Sequence, residues 1–128
     1  MTLRIALATD NGIEFADKHF GEAAEYYIYK IDNNNAEYIK TIVNNSLKEK
    51  MHADPAKARS IIKILKEEDV QIAVNLEFGP NIKRVKKQIV PVLIKERKLK
   101  KALKILVENY SLLLRSWEDG KNRKAVNI

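Results

Sequence analysis

The sequence predicts an α/β fold, and three observations carry that prediction. Short apolar runs at Leu3–Ala8, Val70–Val74 and Ile89–Ile94 have the length of buried strands. Two longer stretches carry apolar residues at i, i+3, i+4 and i+7, the stripe of a helix with one buried face. Strand-like and helix-like segments then alternate along the chain, in the order β-β-β-α-β-α-β-α.

Each element has its own signal. Leu3–Ala8 stops at Thr9-Asp10-Asn11-Gly12, a turn sequence. Glu25–Asp32 is rich in Tyr and Ile, and Ala36–Val43 alternates two sets of side chains. Between them Asn33-Asn34-Asn35 predicts a hairpin turn, because Asn tolerates a left-handed backbone. Asp54-Pro55 predicts a helix start, with Asp accepting from free amides and Pro lacking one. Ala58, Ile61, Ile62 and Leu65 form its stripe, which is expected to end near Glu68 or Asp69. Val70–Val74 is a second buried strand, and Pro80 opens a short helix through Ile82 and Val85. Pro91 cannot donate to a ladder, so the strand Ile89–Ile94 is expected at a sheet edge. The last helix carries Leu99, Ala102, Leu103, Leu106, Tyr110, Leu113, Leu114 and Trp117. Asp119-Gly120 ends it, so residues 1–118 are expected to form one domain and 119–128 a flexible tail.

Composition narrows the function. The chain has 128 residues, 45% of them apolar, enough for a core in one domain. It has no cysteine, which excludes disulfides, a cysteine nucleophile and thiolate ligation of a metal from this chain alone. No apolar run approaches a membrane span, and Met1-Thr2-Leu3-Arg4 leads straight into a strand. We therefore expect no membrane association, no signal peptide and a cytoplasmic location. The net charge of +7 lies wholly in the second half, mostly between Lys83 and Lys104. Such a face attracts nucleic acid or an anionic ligand, or is simply a solvated lysine-rich surface.

The topology gathers the chemistry. A hairpin after strand one, followed by a helical return, makes strands one and four parallel. With strand four beside strand one and opposite the hairpin, the connections change direction between them, which opens a crevice at the strand ends. Loops 9–24, 44–53 and 75–80 leave that edge. They hold His19-Phe20-Gly21, His52 and Gly79-Pro80-Asn81. These residues are the candidate site. His19 is either a turn histidine hydrogen-bonded to backbone or a ligand, since imidazole binds metals readily. His52 is either a polar residue before a helix or part of the site. Gly79-Pro80-Asn81 is either a helix-opening turn or an anion-receiving one. Phe20 reads more simply as a core plug under its loop than as a ligand contact.

The run Ala8-Thr9-Asp10-Asn11-Gly12, then His19-Phe20-Gly21 and an aromatic strand, His52, and Phe78-Gly79-Pro80-Asn81 resembles the dinitrogenase iron–molybdenum cofactor biosynthesis family over about residues 3–108. The resemblance implies a ribonuclease H-like fold with three helices and a five-stranded mixed sheet of order 3-2-1-4-5, strand two antiparallel. It implies a non-enzymatic binding or carrier protein for an iron–molybdenum cofactor, an iron–sulfur cluster or a precursor, with His19 as the metal ligand. It also implies a protein acceptor. The chain departs from the family at Asn75-Leu76-Glu77-Phe78 and Ala53-Asp54-Pro55, where glycine-rich runs are usual; larger side chains there are expected to narrow the crevice.

Two other functions compete. One is nucleic-acid binding through the basic half. Nuclease activity would need clustered carboxylates for two metals, and Asp10 and Glu77 with the distant Glu67 and Glu68 make a poor set. The other is protein interaction, including a homodimer through Leu113, Leu114 and Trp117 if the last helix projects past the domain. No Ser-His-Asp order, Walker loop or dinucleotide fingerprint is present.

Overall fold

A computed structural model describes residues 1–45 and 55–128. The strands are β1 (Leu3–Thr9), β2 (Glu25–Ile31), β3 (Ala36–Val43), β4 (Ile72–Asn75), β5 (Val90–Leu93) and β6 (Val126–Asn127). Among the described residues the helices are α1 (Pro55–Glu67), α2 (Ile82–Val85), α3 (Leu99–Glu108) and α4 (Tyr110–Glu118). Asp54 and His52 lie outside the described residues.

The strands form one mixed sheet in the order β3-β2-β1-β4-β5-β6. β2 is antiparallel to both β1 and β3, whereas β1, β4, β5 and β6 pair in parallel. Among the described residues the expected five strands are thus corrected to six. The addition comes from the supposed tail, where Val126 and Asn127 pair with Val92 and Leu93. Its anchor is Arg123, whose guanidinium stacks 4.1 Å above the Trp117 ring and donates to Trp117 O and Lys87 O, both at 3.1 Å. Pro91 does not mark a wholly open edge. Val90 N–H and Ile94 N–H donate toward β4, to Gln71 O and Asn75 O. The missing amide of Pro91 therefore falls on the other side, one residue before β6 begins to pair.

Two further local readings change. The β2–β3 turn is closed by Asp32, whose carboxylate accepts from Asn34 and Asn35 N–H at 2.7 Å, and none of the three asparagines is left-handed. These amides, Asn34 first, hold the Asp32 carboxyl below its usual value. The last helix is broken at Asn109, whose side chain donates to Ile105 O at 2.8 Å and whose backbone leaves the helical region. Three expected helices become four.

The sheet is covered on both faces. On one, Leu3, Ile5 and Leu7 pack under Leu99, Ala102, Leu106 and Leu113 of α3 and α4. Leu114 and Trp117 pack against this same cluster, so the segment read as projecting to a partner covers its own sheet. On the other face β1 contributes Ala6 and Ala8 to the core. The small side chains leave depth beneath α1, which Phe20, Tyr26 and Phe78 fill along with Ile61 and Leu65.

Candidate functional site

β1 and β4 are adjacent and parallel, so both end at the same sheet edge, and the chain leaves them in opposite directions. Asn75, the fully buried last residue of β4, ties the two exits together. Its Nδ2 donates to Lys18 O at 2.8 Å and to Glu77 O at 3.1 Å. Phe20 N–H donates to the same Glu77 oxygen at 3.0 Å, and His19 pairs with Glu77 in a single parallel bridge. The loop carrying His19 is therefore fixed to the loop carrying Gly79. Asn75 Oδ1 has no hydrogen-bond partner, although it is buried.

A second set of bonds shapes the His19 loop. Phe20–Glu22 forms one 3-10 turn, in which Glu22 N–H donates to His19 O at 2.9 Å. Asn44 Nδ2 donates to Gly21 O and Ala23 O at 2.8 and 2.7 Å. Tyr26 OH donates to Phe20 O at 2.8 Å. Burial, with the nearby Glu22 carboxylate, pushes the Tyr26 hydroxyl far above its usual value, so it remains a donor. Below the turn Phe20 stacks on Phe78, centroids 5.0 Å apart and rings 10° from parallel. Phe20 is thus the plug its sequence suggested, and its ring also lines the site.

Above this floor lies a depression lined by His19, Phe20, Gly21, Glu22, Lys57, Ala58, Ile61, Phe78, Pro80, Asn81 and Val85. It measures about 390 Å³ with its open mouth, but the room it leaves for a water-sized sphere is only about 30 Å³. That is room on the order of one water molecule. The expected narrowing is real at Phe78, whereas Leu76 packs against the α3 face of the sheet. Gly79 has φ +75°, and a Cβ there would lie 2.7 Å from His19 Cε1 and 2.8 Å from Cγ. Only glycine accommodates both the backbone and the ring. The half-buried imidazole therefore rests against Gly79, and neither ring nitrogen forms a hydrogen bond within the described residues.

The structure brings together His19, Phe20, Gly21, Gly79, Pro80 and Asn81; His52 lies outside the described residues. Sequence reasoning missed Lys57 and Glu22. Lys57 is only 5% exposed, and its Nζ lies 3.9 Å from Glu22 Oε1. A signal was present, since Lys57 sits in the first helical turn, where a cation opposes the helix dipole.

Asp10, the first residue of the carboxylate set considered for a nuclease, is otherwise engaged. It accepts from Ala24 N–H at 2.8 Å and pairs with Lys18 Nζ at 3.0 Å. Burial acts to raise its pKa, but the amide and the lysine outweigh it, and the carboxyl titrates below its usual 3.8. Among the described residues no group of three His, Asp or Glu side chains is placed to hold a metal ion.

Residues 1–109 match the family model described as dinitrogenase iron-molybdenum cofactor. No curated protein matches the chain. The fold is similar to a crystal structure from Methanocaldococcus jannaschii provisionally described as a dinitrogenase, with 21% identity and a TM-score of 0.58. That similarity covers 85% of this chain and 91% of the other.

Proposed function

The chain belongs to the dinitrogenase iron-molybdenum cofactor family, and from that premise we propose that it is a non-enzymatic carrier of an iron–molybdenum cofactor or an iron–sulfur precursor, with His19 as its metal ligand. The observation that carries this reading is the state of the His19 ring. It is positioned by backbone on both sides and rests on a left-handed glycine, yet its nitrogens form no hydrogen bond within the described residues. A turn histidine kept for structure would use at least one of them on the backbone.

Imidazole nitrogen ligates iron and replaces cysteine sulfur in some clusters, which suits a chain without cysteine. The room left inside is too small for a cluster, so the cargo rests at the mouth of the depression that Gly21, Pro80 and Asn81 help to line. One imidazole and a shallow seat make a reversible attachment, which a protein that hands on its cargo requires.

The test is anaerobic mixing with isolated iron–molybdenum cofactor and, separately, with a preformed iron–sulfur cluster, followed by visible absorption. Wild type is expected to retain the chromophore through gel filtration. His19→Ala is expected to lose about tenfold or more in affinity, the scale of losing a metal ligand's contribution. Equal retention by wild type and His19→Ala removes His19 from the role, and no retention by either removes the carrier reading.

A further inference from the structure

The two edges of the sheet are unequal. β6 offers two residues, whereas β3 runs for eight. The hydrogen-bonding sense of β3 follows from its two ends. Asp32 N–H donates to Asn35 O at one end and Asn44 N–H to Ala24 O at the other, both at 3.0 Å. Alternation through the register with β2 then turns the backbone groups of Glu37, Lys40 and Ile42 toward β2. Those of Ala36, Tyr38, Thr41 and Val43 point outward, and Ile39 is the unpaired residue of a bulge. Among the described residues nothing bonds to the outward groups. Tyr38 and Thr41 share the face of Tyr29 and Tyr27, and Glu37 and Lys40 lie on the opposite face. The Tyr38 ring is half exposed but already held. It sits edge-on to Tyr27 and Tyr29, centroids 6.0 and 5.6 Å away, and its hydroxyl lies 2.6 Å from Thr41 Oγ1.

We infer that two copies of this chain pair through β3, strand against antiparallel strand, about a two-fold axis at Tyr38. The charges select that register. Centred on Glu37, the pair would oppose two carboxylates; centred on Lys40, two ammoniums. Centred on Thr41, it would form no ion pair and leave Ala36 and Glu37 unmatched. Centred on Tyr38, it places Glu37 of each copy across from Lys40 of the other on one face, and the two Tyr38 rings together on the opposite face. The outward groups of Tyr38 then bond to Tyr38 of the other copy, and those of Ala36 to Thr41. Complementarity about one point is what a second copy requires and a foreign strand does not. The strand holds one acidic and one basic residue, so its edge is neutral in a chain of net charge +7. Glu37 already pairs with Lys30 at 3.7 Å and Lys40 with Glu68 at 3.1 Å, but a carboxylate and an ammonium each have capacity for a second partner. Lysine and a bulge are usual guards of an open edge. Here they exclude the other registers and leave this one. The inference stands apart from the carrier reading.

Sedimentation velocity of the full-length protein over roughly 10–1000 μM measures the pairing, since a contact limited to one strand is expected to be weak. Wild type is expected to pass from monomer to dimer across that range. Amide exchange locates the contact. Tyr38 N–H is expected to exchange more slowly as concentration rises, and Glu37 N–H, which faces β2, to stay unchanged. Glu37→Lys and Lys40→Glu each set like charges against each other at both contacts, and each is expected to weaken the dimer about tenfold or more. Mixed in equal amounts, the two variants place opposite charges at both contacts. The mixed dimer is expected within roughly threefold of the wild-type affinity. That recovery separates the contact from folding, because each chain keeps its own substitution and its own lost ion pair. A dimer indifferent to both substitutions, a lack of recovery on mixing, or a dimer abolished instead by Leu112→Ser on α4 would overturn the inference. A wild-type chain monomeric throughout would overturn it too, and would leave this edge to a strand of another protein.

Discussion

His19 and Gly79 interlock, and that contact is open to a direct energetic test. Alanine at position 79 meets two obstacles, a backbone at φ +75° and the imidazole where its methyl must go. The left-handed backbone alone costs about 1–2 kcal/mol. Gly79→Ala is expected to lose at least that in urea denaturation, and less when His19 is also alanine. A coupling of at least ~0.5 kcal/mol in the double-mutant cycle is the expected result; strict additivity would mean that the ring and the glycine do not meet. Asp10 gives a second prediction, in pH. Its folded pKa lies below the usual 3.8, so it contributes stability above that value, and the contribution is lost as pH falls through the folded value. The stability difference between wild type and Asp10→Asn is therefore expected to be largest above about pH 5 and to shrink below 3.8. A difference constant from pH 7 to 3 would contradict the Lys18 and Ala24 contacts. At this scale the sequence was readable where a residue type is scarce or restricted. Two histidines and four glycines stand out in 128 residues. Lys57 did not stand out among 24 basic residues, because its depth is set by Phe20, Phe78 and α1 closing around it.

Among the elements, the strands and helices with long patterns were legible, and those set by one or two tertiary contacts were not. The stripe of α1 and the apolar run of β1 predict their own burial, since many residues agree. β6 is two residues long, too short to carry a period. It exists because Arg123 brings the chain back over Trp117 and delivers Val126 to the exposed side of β5. Likewise the apolar stripe runs unbroken from Leu99 to Trp117, and only the Asn109 side chain, bonding back to Ile105 O, divides it. The Arg123 anchor predicts a measurable loss. Arg123→Ala gives up a stack worth about 0.5–2 kcal/mol and leaves two carbonyls without this donor, so a total near 2–3 kcal/mol in urea denaturation is expected. Arg123→Lys is expected to recover little, because an ammonium has no planar fork to serve Trp117 O and Lys87 O while stacking. Full recovery by lysine would mean that charge alone holds the C-terminal segment.

For the molecule as a whole, the decisive fact is how the sheet divides its charge. The excess of +7 read as one basic half in sequence, and in space it is split. α2, with exposed Lys83 and Arg84 and with exposed Lys87 just beyond it, packs through Val85 onto the α1 face. α3, with exposed Lys98 at its start and Lys100, Lys101 and Lys104 along it, packs through Leu99, Ala102 and Leu106 onto the opposite face. A duplex laid against one group faces away from the other, so the number of phosphates neutralised together is limited to one group. Association with nucleic acid then follows with a shallow salt dependence. The logarithmic slope falls by about 0.9 per phosphate contacted on B-DNA, so a group of three or four cations gives a slope no steeper than about −4. Binding of a short DNA duplex across a salt series measures it. A slope of −6 or beyond would require more cations than either of these groups holds and would return the basic half to the centre of the function. A slope no steeper than the expected limit leaves these lysines as a solvated surface, and leaves the edge between β1 and β4, where the proposed metal ligand His19 lines a depression, as the candidate site.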